Sequence, residues 1–243
     1  MGTPVVLTKT DLNKFRNRLG TSITPMSPTG DVVFFDDFSN GLESWSRQNY
    51  NFGATPPLPF WSAARHCGSG FCAEFDTAAN AGGYLQHNST PYFLNSPYAG
   101  IEFGFNFGGA NPKQASLNLT FGYTTVTGAY LQANINIFVA IQSVSFGQTN
   151  TYQQVGALVL FTDQYSSVFH KAKLVVDFIG GNYLYLIIDQ NIIPLNQYPL
   201  QRVSTINTQP YVSSQFLGTG AAACSMYLGY YIETINEPSV AQL

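Results

Sequence analysis

The stretch Leu131-Gln132-Ala133-Asn134-Ile135-Asn136-Ile137-Phe138-Val139-Ala140-Ile141 decides the fold class. Leu131, Ala133, Ile135, Ile137, Val139 and Ile141 recur at every second position, with Gln132, Asn134 and Asn136 between them. Strand side chains alternate between two faces, so this pattern predicts a strand with one buried and one wet face; a helix needs apolar residues three and four apart. Ile101, Phe103, Phe105 and Phe107 alternate in the same way with Glu102, Gly104 and Asn106, and Leu117, Leu119 and Phe121 with Asn118 and Thr120. All are expected to be half-buried antiparallel strands with one wet face.

Ala172, Leu174, Val176 and Phe178 lead into Gly180-Gly181-Asn182, and Leu184, Leu186 and Ile188 follow, which predicts a hairpin on a short glycine-containing turn. Asn191 to Pro210, with Pro194, Pro199 and Pro210, reads as a long connection, and Tyr227 to Ile235 as the last strand. About a dozen strands without a repeat of roughly 20 to 50 residues describe an all-β, antiparallel two-sheet sandwich.

Ahead of it, Thr8-Lys9-Thr10-Asp11 offers a capping box, Leu12, Phe15 and Leu19 fall on one helical stripe, and Gly20 can end the helix. Thr21 to Gly30, with Pro25 and Pro28, reads as an extended linker. Residues 1–30 are therefore expected to form an N-terminal helix and arm, and residues 31–243 the sandwich domain. Lys9, Lys14, Arg16 and Arg18 against Asp11 make the arm basic and the body acidic, for a net charge of -3.

Charged residues make up 9% of the chain and aromatic residues 15%, whereas an average globular chain is about one-quarter charged. The surface must then be built from Asn, Gln, Ser, Thr, Gly and Tyr, a composition suited to contact with protein partners or sugars. The body lacks a basic stripe, so no nucleic-acid partner is expected. No apolar run approaches the roughly 18 residues of a spanning helix and no signal-like segment opens the chain, so no membrane partner is expected, and the protein is expected to be cytoplasmic until assembly. Val6 breaks a myristoylation-like start.

Cys67 and Cys72, in His66-Cys67-Gly68-Ser69-Gly70-Phe71-Cys72, are either a local loop disulfide or two thiols of a reducing compartment. A zinc site built on them with His66 lacks a fourth ligand. The common nucleophile, metalloprotease, dinucleotide and phosphate-loop signatures are absent, and His66, His87 and His170 lie in separate elements. Asn88-Ser89-Thr90 and Asn118-Leu119-Thr120 have the form of glycosylation sequons, which a chain this rich in Asn, Ser and Thr generates readily. Trp45, Tyr50, Trp61, Tyr92 and Tyr98, in or near loops, are the candidate binding aromatics.

Three segments together resemble the concanavalin A-like or laminin-G-like jelly roll. Val33-Phe34-Phe35-Asp36-Asp37-Phe38 through Trp45 is similar to that superfamily's first strand and turn, the hairpin from Phe169 to Leu195 to its curved pair, and Leu228 to Ile235 to its final strand. The resemblance covers residues 31 to 236. It implies two stacked curved sheets and functions ranging from glycan binding and glycan cleavage to structural contact. The glycosidase branch carries Glu-x-Asp-x-x-Glu on one strand; Glu74-Phe75-Asp76 begins this motif, but Ala79 stands where the last Glu belongs. Glycoside hydrolysis uses two carboxylates across the scissile bond, so the resemblance is to the non-catalytic branch. Such jelly rolls sometimes join first and last strands through calcium, which makes Asp36 and Asp37, assisted by Glu233 or Asp189, candidate ligands; turn-capping by the same two aspartates is the alternative. No other cofactor is expected.

The expected function is that of a non-enzymatic structural or interaction protein. The first reading is a virion component, capsid-decorating or tail, forming a homo-oligomer whose arm docks on a neighbour through Leu12, Phe15, Arg16 and Leu19. A lectin-like carbohydrate-binding module is the alternative, and a glycan-cleaving jelly roll the second alternative.

Overall fold

The computed structural model describes residues 30–51, 58–64, 70–77, 81–89, 98–108, 115–125, 127–138, 143–148, 151–157, 169–204, 211–220 and 223–239. The expected arm, with Leu12, Phe15, Arg16 and Leu19, lies outside these residues, as do Cys67 and Tyr92. In chain order the strands are β1 (Asp31–Asp36), β2 (Ser46–Asn51), β3 (Phe60–Ser62), β4 (Cys72–Thr77), β5 (Ala81–Ser89), β6 (Tyr98–Gly108), β7 (Ala115–Thr124) and β8 (Ala129–Phe138). They continue with β9 (Ser143–Gln148), β10 (Thr151–Ala157), β11 (His170–Asp177), β12 (Asn182–Ile188), β13 (Asn191–Pro194), β14 (Gln201–Ser204), β15 (Tyr211–Gly220) and β16 (Cys224–Ile235).

Two antiparallel sheets form a sandwich. Sheet A runs β13-β12-β11-β6-β16-β4-β3, with β1 also on β16; sheet B runs β10-β9-β8-β7-β15-β5-β2, with β14 also on β8. The first and last strands pair with each other, Phe35 opposite Ile232 and Asp36 opposite Tyr231. The alternation read from the sequence sets the interior. Ile101, Phe103, Phe105 and Phe107 of β6 face Leu117, Leu119 and Phe121 of β7 and Ala133, Ile135 and Ile137 of β8 in one buried core. Aromatic rings join the sheets edge to face, Phe103 with Phe216 at 5.1 Å and Phe216 with Tyr231 at 5.7 Å. Each such pair adds roughly 0.5–1.5 kcal/mol beyond the area it buries.

The hairpin after β11 forms as expected. Asp177 accepts the amides of Ile179 and Gly180 at 3.0 and 2.7 Å, and Gly181 takes a φ of 73°, where a side chain would be strained. Asn191 to Pro210 is more than a connection: its first part returns as edge strand β13 along β12, and Gln201–Ser204 adds to β8. Pro194 and Pro199 are tolerated because a strand at the edge has a side that donates to nothing.

The expectation of one wet face on β6 needs correction, because both of its faces are buried. On the outer face of sheet A, Glu102 stands opposite Lys173 across the β6–β11 pair, and both are 1% exposed. The segment after β16 folds over them: the Glu237 amide donates to the Tyr98 carbonyl at 3.5 Å, and the Lys173 ammonium meets Glu237 Oε1 at 2.8 Å. Gly30 and Gly100 leave the space this carboxylate occupies; a Cβ on either would collide with its side chain or with Thr234. Val32, Tyr230 and Ile232, with Phe35 and Phe169, form a second apolar cluster on this face.

Candidate functional site

Sheet B accounts for the scarcity of charge. Its eight strands contain no Asp, Glu or Lys, and their two arginines, Arg47 and Arg202, sit on the short strands β2 and β14. The residues that alternate with its core positions face outward; they are mostly Asn, Gln, Thr, Ser and Tyr, with Gly122, Phe138 and Leu217 among them. Their register sets them in rows across the strands: Gln86, Gln215, Thr120 and Asn134 in one, Ser213, Gly122, Gln132 and Gln201 in the next.

Two hydrogen-bond networks organise this face. Gln86 Nε2 donates to Asn88 Oδ1 at 2.8 Å and to Ser213 Oγ at 3.3 Å. Thr120 Oγ1 donates to Asn134 Oδ1 at 2.8 Å, while Gln132 Nε2 and Asn134 Nδ2 both donate to Gln201 Oε1, at 2.6 and 3.2 Å. Such networks fix long amide side chains that would otherwise lose rotamer entropy on meeting a ligand. At one end, Tyr130 and Tyr211 stack with centroids 6.4 Å apart. Gly122 makes room for this arrangement, since a Cβ there would overlap the Tyr130 hydroxyl. Burial first, and then the neighbouring Tyr211, pushes the Tyr130 phenol up to about 12 against a hydrogen bond from Ser213, so it stays neutral. At about 4.8 Å per strand, seven strands span roughly 30 Å.

The candidate residues read from the sequence are not assembled there. Trp45 is 6% exposed and packs in the core, 5.1 Å edge-on to Tyr231, so it is not an exposed stacking ring. Trp61 is 45% exposed at the edge of sheet A, stacked on Phe71 at 4.1 Å, its indole donating to the Phe38 carbonyl. Tyr98 begins β6 opposite Asp177, also on sheet A. The Tyr50 backbone lies in β2, opposite Gly82 of sheet B. The outward Gln and Asn rows were visible in the sequence as the polar half of the alternation, but strand order was needed to put them side by side.

The expected calcium ligands are otherwise engaged. Asp36 accepts the Phe38 amide at 2.7 Å through one oxygen and the Trp45 indole at 2.8 Å through the other, and Asp37 accepts the Ser39 amide at 3.0 Å. They cap the turn after β1, in which Phe38 holds a left-handed φ of 58°. Burial pushes the Asp36 carboxyl up despite these hydrogen bonds. Glu233 points between the sheets and accepts the Tyr231 hydroxyl at 2.6 Å, and Asp189 pairs with His170 Nδ1 at 2.8 Å. Among the described residues no three His, Cys, Asp or Glu side chains come together as a metal site.

Cys72 is a buried thiol whose Sγ lies 3.6 Å from the Ser62 carbonyl it donates to. Glu74 is buried on sheet A and Asp76 accepts Ser225 Oγ at 2.7 Å, so the Glu74-Phe75-Asp76 motif is on the sheet opposite the uncharged face. His87 stacks on Phe34 at 4.0 Å between the sheets.

The sequence matches no protein-family description and no curated protein. Solved structures similar to the chain include the CBM2 module of the evolved Dit of Lactobacillus casei BL23 phage J-1, at 15% identity over 86% of this chain and 98% of that one, with a TM-score of 0.44. A lichenase, a β-1,3-1,4-glucanase from a mouse hindgut metagenome, is similar at 10% identity over 83% and 98%, with a TM-score of 0.46. The potassium-bound carbohydrate recognition domain of Emp46p is similar at 12% identity over 82% and 92%, with a TM-score of 0.43. The glucanase and the Emp46p domain are of the concanavalin A-like jelly-roll class that the three sequence segments resemble.

Proposed function

We propose that this protein is a non-catalytic carbohydrate-binding module whose outer face of sheet B receives a neutral glycan chain. The observation that carries this reading is the uncharged, amide-rich face of about 30 Å, pre-ordered by its own hydrogen bonds and ended by stacked tyrosines. Sugars present a fixed array of hydroxyl donors and acceptors, which amide and hydroxyl side chains match, and apolar ring faces, which aromatic rings match. A chain of several sugars suits the width better than one terminal residue. Hydrolysis is left out of the proposal because the described strands of this sheet offer no carboxylate to act as acid, base or nucleophile.

On a glycan array the protein is expected to mark neutral polysaccharides, with a signal that changes less than about two-fold between low and high salt, since no charge pair is screened. Preference for sialylated, sulfated or uronic-acid glycans, or loss of signal with salt, would refute the neutral-face reading.

Contact with a protein partner through the same face is the second reading, favoured by its depletion of charge. The capsid-decorating or tail role expected from the sequence goes with this reading, and its arm residues lie outside the described residues. Light scattering separates the two: a monomer at all concentrations that saturates with a glycan leaves only the first.

A further inference from the structure

The outward face of sheet B carries two apolar platforms. At one end Leu217 of β15 stands opposite Tyr84 of β5; at the other Tyr211 of β15 stacks with Tyr130 of β8 across Thr124 of β7. All four side chains are half-buried, held by their neighbours and open to solvent over part of their surface. Tyr130 leans over Gly122 towards β15, where Ser213 hydrogen-bonds its hydroxyl. Leu217 comes six residues after Tyr211, so the platforms lie roughly 20 Å apart at about 3.4 Å per strand residue.

No row across the described strands joins them. Tyr84, Leu217 and Asn118 share one row, and Tyr211, Thr124, Tyr130 and Val203 another, with the two amide and hydroxyl rows between. A glycan lying across the strands therefore meets one platform; a chain lying along β15 meets both. On that line it passes Gln215 and Ser213, with Gln86 and Asn88 on one side and Thr120 on the other. Its middle sugars then find amides and hydroxyls, and its end sugars find rings.

Resting on the glycan-binding reading above, we propose that the ligand of sheet B is a flat, extended neutral glycan that runs along β15, from Tyr84 and Leu217 to Tyr130 and Tyr211. Both platforms belong to one face, so the sugars at both ends must turn their apolar sides to the same surface. A β-1,4-linked chain of equatorial sugars is a ribbon and does so. A coiled α-1,4-linked chain rotates its rings away from that surface. The hydrogen-bonded Gln86 and Ser213 side chains hold the polar middle of the line in place before the ligand arrives.

Calorimetric titration of the full chain with cellobiose, cellotetraose, cellohexaose and the matching malto-oligosaccharides tests this, using wild type, Y84A/L217A and Y130A/Y211A. Cellohexaose should bind wild type about ten-fold or more tighter than cellobiose, which is too short to reach both platforms, and tighter than maltohexaose. Each double variant should bring cellohexaose to within about three-fold of cellobiose. A length advantage that survives either double variant would mean that the chain does not join the platforms, overturning the line along β15 while leaving the glycan-binding reading intact. Tighter binding of maltohexaose would overturn the flat ribbon in the same way. Failure of every neutral oligosaccharide to bind would bring down both. Amide shifts of the wild type with cellohexaose ask the same question without substitutions: Tyr84 and Tyr211 should move together with one midpoint, and movement at one end alone would overturn the proposal.

Discussion

Replacing Glu102 by glutamine is expected to stabilise the fold by about 3 kcal/mol near pH 8 and to change nothing near pH 4.5. Burial raises this carboxyl from 4.5 to about 7, against the pull of Lys173, the Tyr230 hydroxyl at 3.1 Å and Lys171, with Glu237 adding to the rise. Above the unfolded value and below the folded one, the native state holds a proton that the unfolded chain has lost. Stability is therefore full below about pH 4.5, falls as pH rises towards 7, and is level above that. Glutamine keeps an acceptor for Tyr230 and removes the proton linkage. Urea melts across this range should show the wild-type slope and its absence in E102Q; equal slopes would mean that Glu102 is hydrated.

Lys173→Met is expected to cost about 3–5 kcal/mol near pH 8, the usual penalty for removing one partner of a buried ion pair. The variant strands Glu102 and Glu237 as buried carboxylates on a face where Lys173 is itself 1% exposed. Lowering the pH towards 4.5 should return part of the loss, because the Glu102 carboxyl can then be protonated. Adding E237Q to K173M should also recover much of it, which a double-mutant cycle would read as strong coupling. A loss below about 1 kcal/mol would mean that the pair is solvated.

These two effects concern a part of the molecule that the sequence conceals. The alternation of Ile101 to Phe107 was legible, and so were the inward positions, because period two follows from strand geometry alone. That Glu102 and Asn106 would also be buried was not legible. The cover of Glu102 comes from Glu237 and from the cluster of Val32, Tyr230 and Ile232, distant in sequence and brought over β6 by the β1–β16 and β6–β16 pairings. The turn at Gly180-Gly181 was readable because glycine chemistry is local. The pairings of β13 and β14 were not, since short edge strands carry little periodicity.

The site shows the same division. Candidate aromatics were chosen for lying near loops, but Trp45 is drawn into the core by the Asp36 carboxylate and the Tyr231 ring. The low charge was visible from composition; its confinement to one sheet was not. Strand order decided it, by setting β5, β15, β7 and β8 side by side while the aspartates and glutamates of the described strands fall on the other sheet.

Amide shift mapping by NMR during titration with the neutral tetrasaccharide that binds tightest locates the glycan on the protein. Perturbations are expected at outward positions of β5, β7, β8 and β15, including Gln86, Thr120, Gln132 and Ser213, with the outer face of sheet A around Glu102 and Lys173 unmoved. Perturbations centred on sheet A, or on the Trp61 edge, would mean that sheet B is not the glycan-binding face.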